Sequence, residues 1–412
     1  ATDPLGHTTT YTYNDNGDVA TKTDPNGGTT SMTYYYCGTV KRISTVLDPL
    51  GRETKYQFDK MGNQLSVILP GGGTSSFSYD TVYNLLSRTD AAGNTVSYEY
   101  DEGGNLVAMI DPRGGRTTYE YDAAGRLSST KDPLGNVTRM TRDQLGNVTI
   151  FVNPLGEQTM YEFDALNRMV ETVNALGHKT KSLYDKAGNI VSVQDQKGNS
   201  TGYTYDKLHK LLEVKNALGQ ITKFSYDSAG NRTEAKDARG YAVSYQYDAA
   251  NRLVKSINAL GGTSGFTYDS AGNLLSATDT NGNAVTNVYD ALNRVIARKD
   301  ALGNTATMIY NDAGGVSSVL DPKGNGTGYE YDPAGRLAAV VDAMGGRTAY
   351  SYDEAGNLKK IIDANGQATE YVYDPLGRIT EELNALGKTT GYEYDPLGRI
   401  AKVSTPRGDA IE

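Results

Sequence analysis

The sequence predicts an all-β protein, a long antiparallel meander of β-hairpins without helices. Three observations predict it. A 21-residue repeat runs almost from end to end, two glycine slots punctuate each repeat, and aromatic and polar side chains alternate between those slots. The composition agrees: 47 Gly and 31 Tyr against 6 Phe and no Trp is a narrow choice of building blocks for 412 residues. Ordinary cores draw on Leu, Ile, Val and Phe, whereas Tyr joins a large apolar body to a hydroxyl that suits a partly wet face.

The repeat is anchored on the Asp or Asn that opens Asp-Pro-Leu-Gly or Asn-Ala-Leu-Gly. From Asp48 to Asn384 seventeen units follow at a constant step of 21, without insertion or deletion. Two earlier units start at Asp3 and Asp24. The second, residues 24–47, is three residues longer and carries Tyr34-Tyr35-Tyr36-Cys37. The regular units fill 48–404, and Thr405-Pro406-Arg407-Gly408 opens a further one over 405–412. The whole chain, 1–412, therefore reads as one repeat array.

Within the regular units the third residue after the anchor is always Gly. The tenth is Tyr or Phe except at Arg142, and the eleventh is Asp except at Asn311. The fourteenth is Gly or Asn (Asn167, Asn251, Asn293), broken only by Tyr83 and His209. Between the slots, Thr117-Thr118-Tyr119-Glu120-Tyr121 puts Tyr119 and Tyr121 on one face and Glu120 on the other, as a strand's period of two requires. Arg126-Leu127-Ser128-Ser129-Thr130 is a shorter second strand. Both Gly slots fall where a chain reversal needs a positive φ, which Gly adopts freely and Asn next best. The Asp before the turn accepts amide hydrogen bonds from two residues on, and Pro presets φ at the other turn while opposing a helix. Each unit is two strands and two turns, and such short turns force antiparallel pairing.

Nineteen units give about 38 strands, a strip with a contour of roughly 180 Å at about 4.8 Å per strand. Open twisted sheets rarely exceed ~10 strands without curling or splitting, and an unbroken repeat offers no place to split. The strip is therefore expected to curl into a spiral, hollow shell or tube, because side chains fill only barrels of about eight strands. A filled parallel β-solenoid is the structural alternative, disfavoured by two sharp turns per 21 residues.

The formal charge of −9, with Lys and Arg scattered singly, lacks the basic stripe of a nucleic-acid binder. Cys37 is the single cysteine, which excludes an intrachain disulfide and a Cys-based metal site. His7, His178 and His209 share no ligand spacing. No apolar run approaches the ~18 residues of a membrane span. The chain opens Ala-Thr-Asp-Pro without Met, as an excerpt of a longer protein would.

The motif Tyr-x-Tyr-Asp-x-x-Gly-Asn/Arg-Leu, as in Tyr98-Glu99-Tyr100-Asp101 with Gly104-Asn105-Leu106, and the intervening Asp132-to-Thr138 element resemble the YD-repeat signature. The chain is similar over essentially its whole length to the repeat region of bacterial Rhs proteins, wall-associated polymorphic toxins, Tc toxin B and C components, and teneurins. The resemblance implies a spiral β-shell. In toxin members such a shell encloses a C-terminal toxin domain, in settings that include type VI secretion and bacterial competition. It implies as partners the protein's own C-terminal toxin or cargo polypeptide and secretion-apparatus proteins, and a secreted or cell-surface location. The closing core segment with a self-cleaving aspartyl site, found in many members, is not recognised in this sequence.

The signature residues expected to build the repeat are Tyr100, Asp101, Gly104, Tyr121, Asp122, Gly125, Tyr205, Asp206, Tyr226, Asp227, Gly230, Tyr331, Asp332, Gly335, Tyr352, Asp353 and Gly356. Catalysis by carboxylate pairs needs unlike environments, whereas Asp80, Asp101 and Asp122 share one by construction, so no catalytic, metal or cofactor residue is assigned. Asn14-Asp15-Asn16-Gly17-Asp18 is the best calcium candidate, but it lacks the later Glu of an EF-hand loop. Arg142, Tyr83 and His209 read as drift in a redundant array, and the Tyr34–Cys37 insertion as a bulge or longer loop. The Tyr columns serve cross-strand packing and could also offer a stacking platform. The leading expectation is a non-enzymatic shell segment of a secreted Rhs-type toxin. The alternative is a surface adhesion or carbohydrate-binding array.

Overall fold

The structure, a computed structural model, describes residues 1–407 and 409–411, so Gly408 of the last begun unit lies outside the described residues. Among these residues there is no helix, and thirty-nine strands run from Thr10–Tyr13 to Ala410–Ile411. In a typical unit the long strand Arg116–Tyr121 pairs antiparallel with the short strand Leu127–Lys131, which pairs with the next long strand, Val137–Arg142. Arg126 belongs to the turn and not to the second strand, a one-residue correction to the sequence reading. Antiparallel pairing of consecutive strands excludes the filled parallel solenoid.

The two faces of the layer follow directly from register. Tyr119 faces Thr130, which faces Thr138, while Glu120, Ser129 and Arg139 form the row on the opposite face. One face thus carries columns of Tyr and Thr. The other carries polar residues, among them the Glu162, Glu171 and Lys181 row, where Lys181 is 3.1 Å from Glu171. Ala108, Val173 and Ala339 are the only buried apolar residues among those described, and no large side chain is fully buried.

The Tyr-Asp hairpins contain a feature that the repeat count did not reveal. Glu120 pairs with Ser129 but Tyr121 with Leu127, so Ser128 is an extra residue, a β-bulge. The same shift recurs in hairpin after hairpin. A bulge bends its strand and increases local twist, and one per unit distributes that bend evenly.

Backbone contacts group the array into two compact units. The first comprises Ala1–Thr9, Met140–Val288 and Arg298–Gly303, and the second Thr10–Arg139, Tyr289–Ala297 and Asn304–Glu412. The first is a run of consecutive hairpins. The second joins two stretches far apart in sequence, and turn-on-turn stacking holds them together. Arg52 Nη1 donates to the carbonyls of Asn311 and Asp312 at 3.2 and 3.1 Å. Arg113 donates to the carbonyls of Asp374 and Pro375 at 3.1 and 3.3 Å and lies 3.5 Å from the Asp353 carboxylate. Asn293 Nδ2 donates to Asp24 at 3.3 Å. In each case an anchor turn of one course meets Tyr-Asp turns of another, so the lower edge of one strip rests on the upper edge of the next. The approach is close: a Cβ on Gly28 would stand 2.7 Å from the Ala291 carbonyl, and one on Gly71 would stand 2.9 Å from the Ala313 side chain.

The insertion at 34–37 begins at a register shift, with Thr33 facing Thr45 and Tyr34 facing Ile43, and is not a longer loop. It lengthens a hairpin, Thr29–Cys37 against Val40–Leu47, closed by Gly38-Thr39. Asp18 holds it, accepting from the Tyr36 hydroxyl at 2.5 Å and from the Lys41 ammonium.

Candidate functional site: the Tyr-Asp hairpin tips

Each tip is a type I turn closed by a residue at positive φ, the common geometry of a three-residue hairpin loop. Around Asp122, the Gly125 amide donates to the Asp122 carbonyl at 2.9 Å, and the Asp122 amide donates to Arg126 at 2.8 Å. Asp122 Oδ1 accepts the amides of Ala124 and Arg126 at 2.9 and 3.0 Å, and Oδ2 accepts Arg126 Nε at 2.8 Å. Asp101 repeats the pattern with Gly103 and Asn105, Asp206 with Leu208 and Lys210, and Asp227 with Asn231. Asp332 and Asp353 do so with Arg336 and Asn357. The fourteenth slot is left-handed throughout: φ is 81° at Gly104, 73° at Gly125, 95° at Gly230, 79° at Gly335 and 87° at Gly356.

The non-glycine residues in that slot are informative. Tyr83, Asn167, His209, Asn251 and Asn293 all hold positive φ, between 60° and 71°, and they are the only non-glycine residues that do so among those described. The turn thus imposes its conformation on Tyr83 and His209. Asn147 Nδ2 donates to Asn167 Oδ1 at 2.8 Å, Asn231 to Asn251 at 2.8 Å, and His209 Nδ1 lies 3.0 Å from Asn189 Oδ1. Each link joins a tip to the one before it.

These contacts settle the carboxylate chemistry at the tips. Hydrogen bonds from the Arg126 amide and guanidinium hold Asp122 below the usual carboxylate range. The Asn105 side chain does so for Asp101, the Lys210 amide for Asp206 and the Asn231 side chain for Asp227. Asp80 is lowered in the same kind of turn, although desolvation opposes its hydrogen bonds from Asn84. At the calcium candidate, Asn14 Oδ1 accepts the Asn16 and Asp18 amides at 3.0 and 2.9 Å, and Asp18 is engaged with Lys41 and Tyr36. Oxygens so occupied do not converge on a cation, and no His, Cys, Asp or Glu cluster among the described residues could hold a metal.

Tyr at the tenth position has a specific role beyond filling space. The Tyr121 hydroxyl donates to the Leu106 carbonyl of the preceding hairpin at 2.7 Å. Tyr100, Tyr205, Tyr226, Tyr331 and Tyr352 each bond the carbonyl fifteen residues upstream, at 3.1, 2.9, 2.9, 2.9 and 2.9 Å. The ladder between hairpins pairs only Ala108–Ile110 with Arg116–Thr118. The strands part above it, and the hydroxyl satisfies a carbonyl that the ladder leaves open. Arg142 reaches the same end of its strand differently, donating to the Gly146 carbonyl at 2.9 Å.

A further set of residues escaped the sequence reading. The fifteenth slot carries a cation every 42 residues: Arg126, Arg168, Lys210, Arg252, Arg294, Arg336 and Arg378. Arg168 bonds its own Asp164, donates to the Asp185 carbonyl at 2.9 Å and lies over the Tyr184 ring at 4.7 Å. Arg252, Arg336 and Arg378 repeat this over Tyr268, Tyr352 and Tyr394. A two-unit period tabulated slot by slot would have shown it.

Residues 5–138 and 157–384 match the Teneurin YD-shell family model, and 373–410 match the RHS Repeat. No match is found among curated protein sequences. Similar folds occur in the TcdB2-TccC3 crystal structure (TM-score 0.60, 13% identity, 96% of this chain and 30% of that one) and in TcdB2-TccC3-Cdc42 (0.53, 15%, 94% and 29%). A Tc holotoxin pore from Photorhabdus luminescens is similar to the same degree (0.53, 15%, 96% and 29%). This chain therefore spans about 30% of the length of these proteins. With the family model matched over well more than half of the residues, and with its hairpins, tips and single-layer sheet in place, the chain belongs to the Teneurin YD-shell family.

Proposed function

We propose that this chain is a stretch of the wall of a secreted Rhs-type toxin, and that the shell encloses a C-terminal effector domain or other cargo polypeptide. The observation that carries the reading is the turn-on-turn stacking in the second unit. A single-layer sheet gains area by adding courses, and the Arg52 and Arg113 clamps close the seam between two of them. One of the similar solved structures is a Tc holotoxin pore, which supports the same reading. Delivery by a secretion apparatus extends it, as does use against competing bacteria. No helix among the described residues is long and apolar enough to cross a membrane. The wall is inferred to be non-catalytic, which fits tip carboxylates such as Asp101 and Asp122 whose oxygens are engaged by their own turns.

Protease protection of the full-length protein tests the proposal. At neutral pH the effector region should resist trypsin under conditions that digest the same region made alone, and it should become sensitive to pepsin, which works in acid, once acid opens the wall. Equal cleavage rates at neutral pH would refute enclosure. Tight, specific glycan binding together with equal rates would favour the adhesion reading.

A further inference from the structure

Five Asn-Gly pairs lie in or beside turns: Asn16-Gly17, Asn26-Gly27, Asn281-Gly282, Asn325-Gly326 and Asn365-Gly366. An asparagine side chain converts to a carboxylate without any enzyme when the amide nitrogen of the following residue attacks its carbonyl carbon. Glycine in that following position favours the attack, since it has no Cβ in the way and its backbone rotates freely. In a folded chain two further conditions apply. The side-chain amide must be free to swing, and the turn must open far enough to release the glycine nitrogen.

The fold divides the five. Gly17, Gly282 and Gly366 hold φ at 80°, 85° and 78°, and a Cβ built on any of them would meet nothing within 4 Å. Their amides make one turn bond each, to the carbonyls of Asn14, Asp279 and Asp363 at 2.9, 3.0 and 3.0 Å. The side chains of Asn16, Asn281 and Asn365 are exposed and bond no other described residue. The other two are held. Asn325 Nδ2 donates to Asp321 Oδ2 at 2.7 Å, and its backbone amide donates to Oδ1 at 2.8 Å. Gly326 after it begins the strand Gly326–Tyr331 and pairs with Leu320. Asn26 lies at the seam between courses, where its Nδ2 donates to Asn293 Oδ1 at 3.4 Å. Close by, a Cβ on Gly28 would stand 2.7 Å from the Ala291 carbonyl, so the turn has no room to rearrange.

We propose that Asn16, Asn281 and Asn365 deamidate spontaneously in the folded chain, and that the fold protects Asn26 and Asn325. The glycine nitrogen bonds to the Asn side-chain carbon and gives up its proton. The bond from that carbon to Nδ2 breaks, and the leaving nitrogen takes the proton away as ammonia. A five-membered succinimide remains. Water then adds to either ring carbonyl, and opening yields aspartate or isoaspartate with no change of oxidation state. Each conversion adds one negative charge to a turn edge of a chain already at −9. Isoaspartate also inserts an extra main-chain methylene into the turn.

Peptide mapping by mass spectrometry, after incubation of the whole folded chain at mildly alkaline pH, tests this. Peptides holding Asn16, Asn281 and Asn365 should gain the amide-to-acid mass as a mixture of aspartate and isoaspartate. They should do so roughly tenfold or more faster than Asn325, the effect on local opening expected of hydrogen bonds to a carboxylate. In urea all five should convert at similar rates, which separates the effect of the fold from that of the dipeptide. Gly282→Ala should slow Asn281 and leave Asn365 unchanged. Conversion of Asn26 or Asn325 in the folded chain as fast as that of Asn281 overturns the proposal. So does a folded chain in which none of the three converts while all five do in urea.

Discussion

Replacing Gly125 isolates the cost of the Tyr-Asp tip. Its φ is +73°, and a Cβ built there meets nothing within 4 Å, so no steric clash enters. An L-residue in the left-handed region costs about 1–2 kcal/mol. Loss of glycine's freedom in the unfolded chain returns roughly 0.4–1 kcal/mol. Gly125→Ala should therefore destabilise the tip by about 1 kcal/mol. Gly125→Asn should do less, since Asn tolerates this region. Its side chain would also stand twenty residues after Asn105, the relation in which Asn147 donates to Asn167 at 2.8 Å. An exposed hydrogen bond of that kind adds about 0.5 kcal/mol, which leaves Asn nearly neutral. The gap of about 1 kcal/mol between the two variants corresponds to a roughly fivefold difference in local opening. Hydrogen exchange at the Arg126 amide, bonded to Asp122 at 3.0 Å, reads that opening tip by tip. Equal exchange in the two variants, or slower exchange in the Ala variant, would refute the account of the slot.

Three further outcomes are expected. Tyr121→Phe should cost about 1 kcal/mol by leaving the Leu106 carbonyl without its 2.7 Å donor, seen as faster exchange at the hairpin junction, while the ring packing persists. Arg113→Ala should release the turn at Asp374 and Pro375 by roughly 1.5–3 kcal/mol, as expected for charged donors, and expose it to protease. Arg113→Lys should restore little, because it lacks the planar fork. Stability should also fall in acid: the lowered Asp101, Asp122 and Asp227 contribute fully above the ordinary carboxylate value near 3.8. That contribution disappears as pH drops through their lower folded values. Tyr100, Tyr205 and Tyr352 are raised by burial, so their contribution is present below about pH 10 and lost above it. A pH series of urea midpoints flat from pH 5 down to pH 2 would contradict the acid arm.

Much of the tip was legible beforehand because its determinants are local. Positive φ at Asn167 and Asn251 followed from the Gly-or-Asn choice, and the Asp carboxylate over the turn amides followed from Asx chemistry. The Ser128 bulge was not legible, because Ser is compatible with regular strand and only pairing reveals the extra residue. The Tyr hydroxyl bond was not legible either. Alternation places Tyr121 on a face, but its acceptor is a carbonyl exposed only when neighbouring hairpins part.

The sequence by itself determined the hairpin, its two turns, the absence of helix and the membership of a shell family, since these rest on contacts within about twenty residues repeated at constant spacing. Only the tertiary structure decided which turns meet. Arg52 and Arg113 find their carbonyls 259 to 262 residues away, a distance set by the bend that accumulates hairpin by hairpin. No single unit encodes that sum, so the same turn motif is a covered seam at Arg113 and an exposed edge at Leu218.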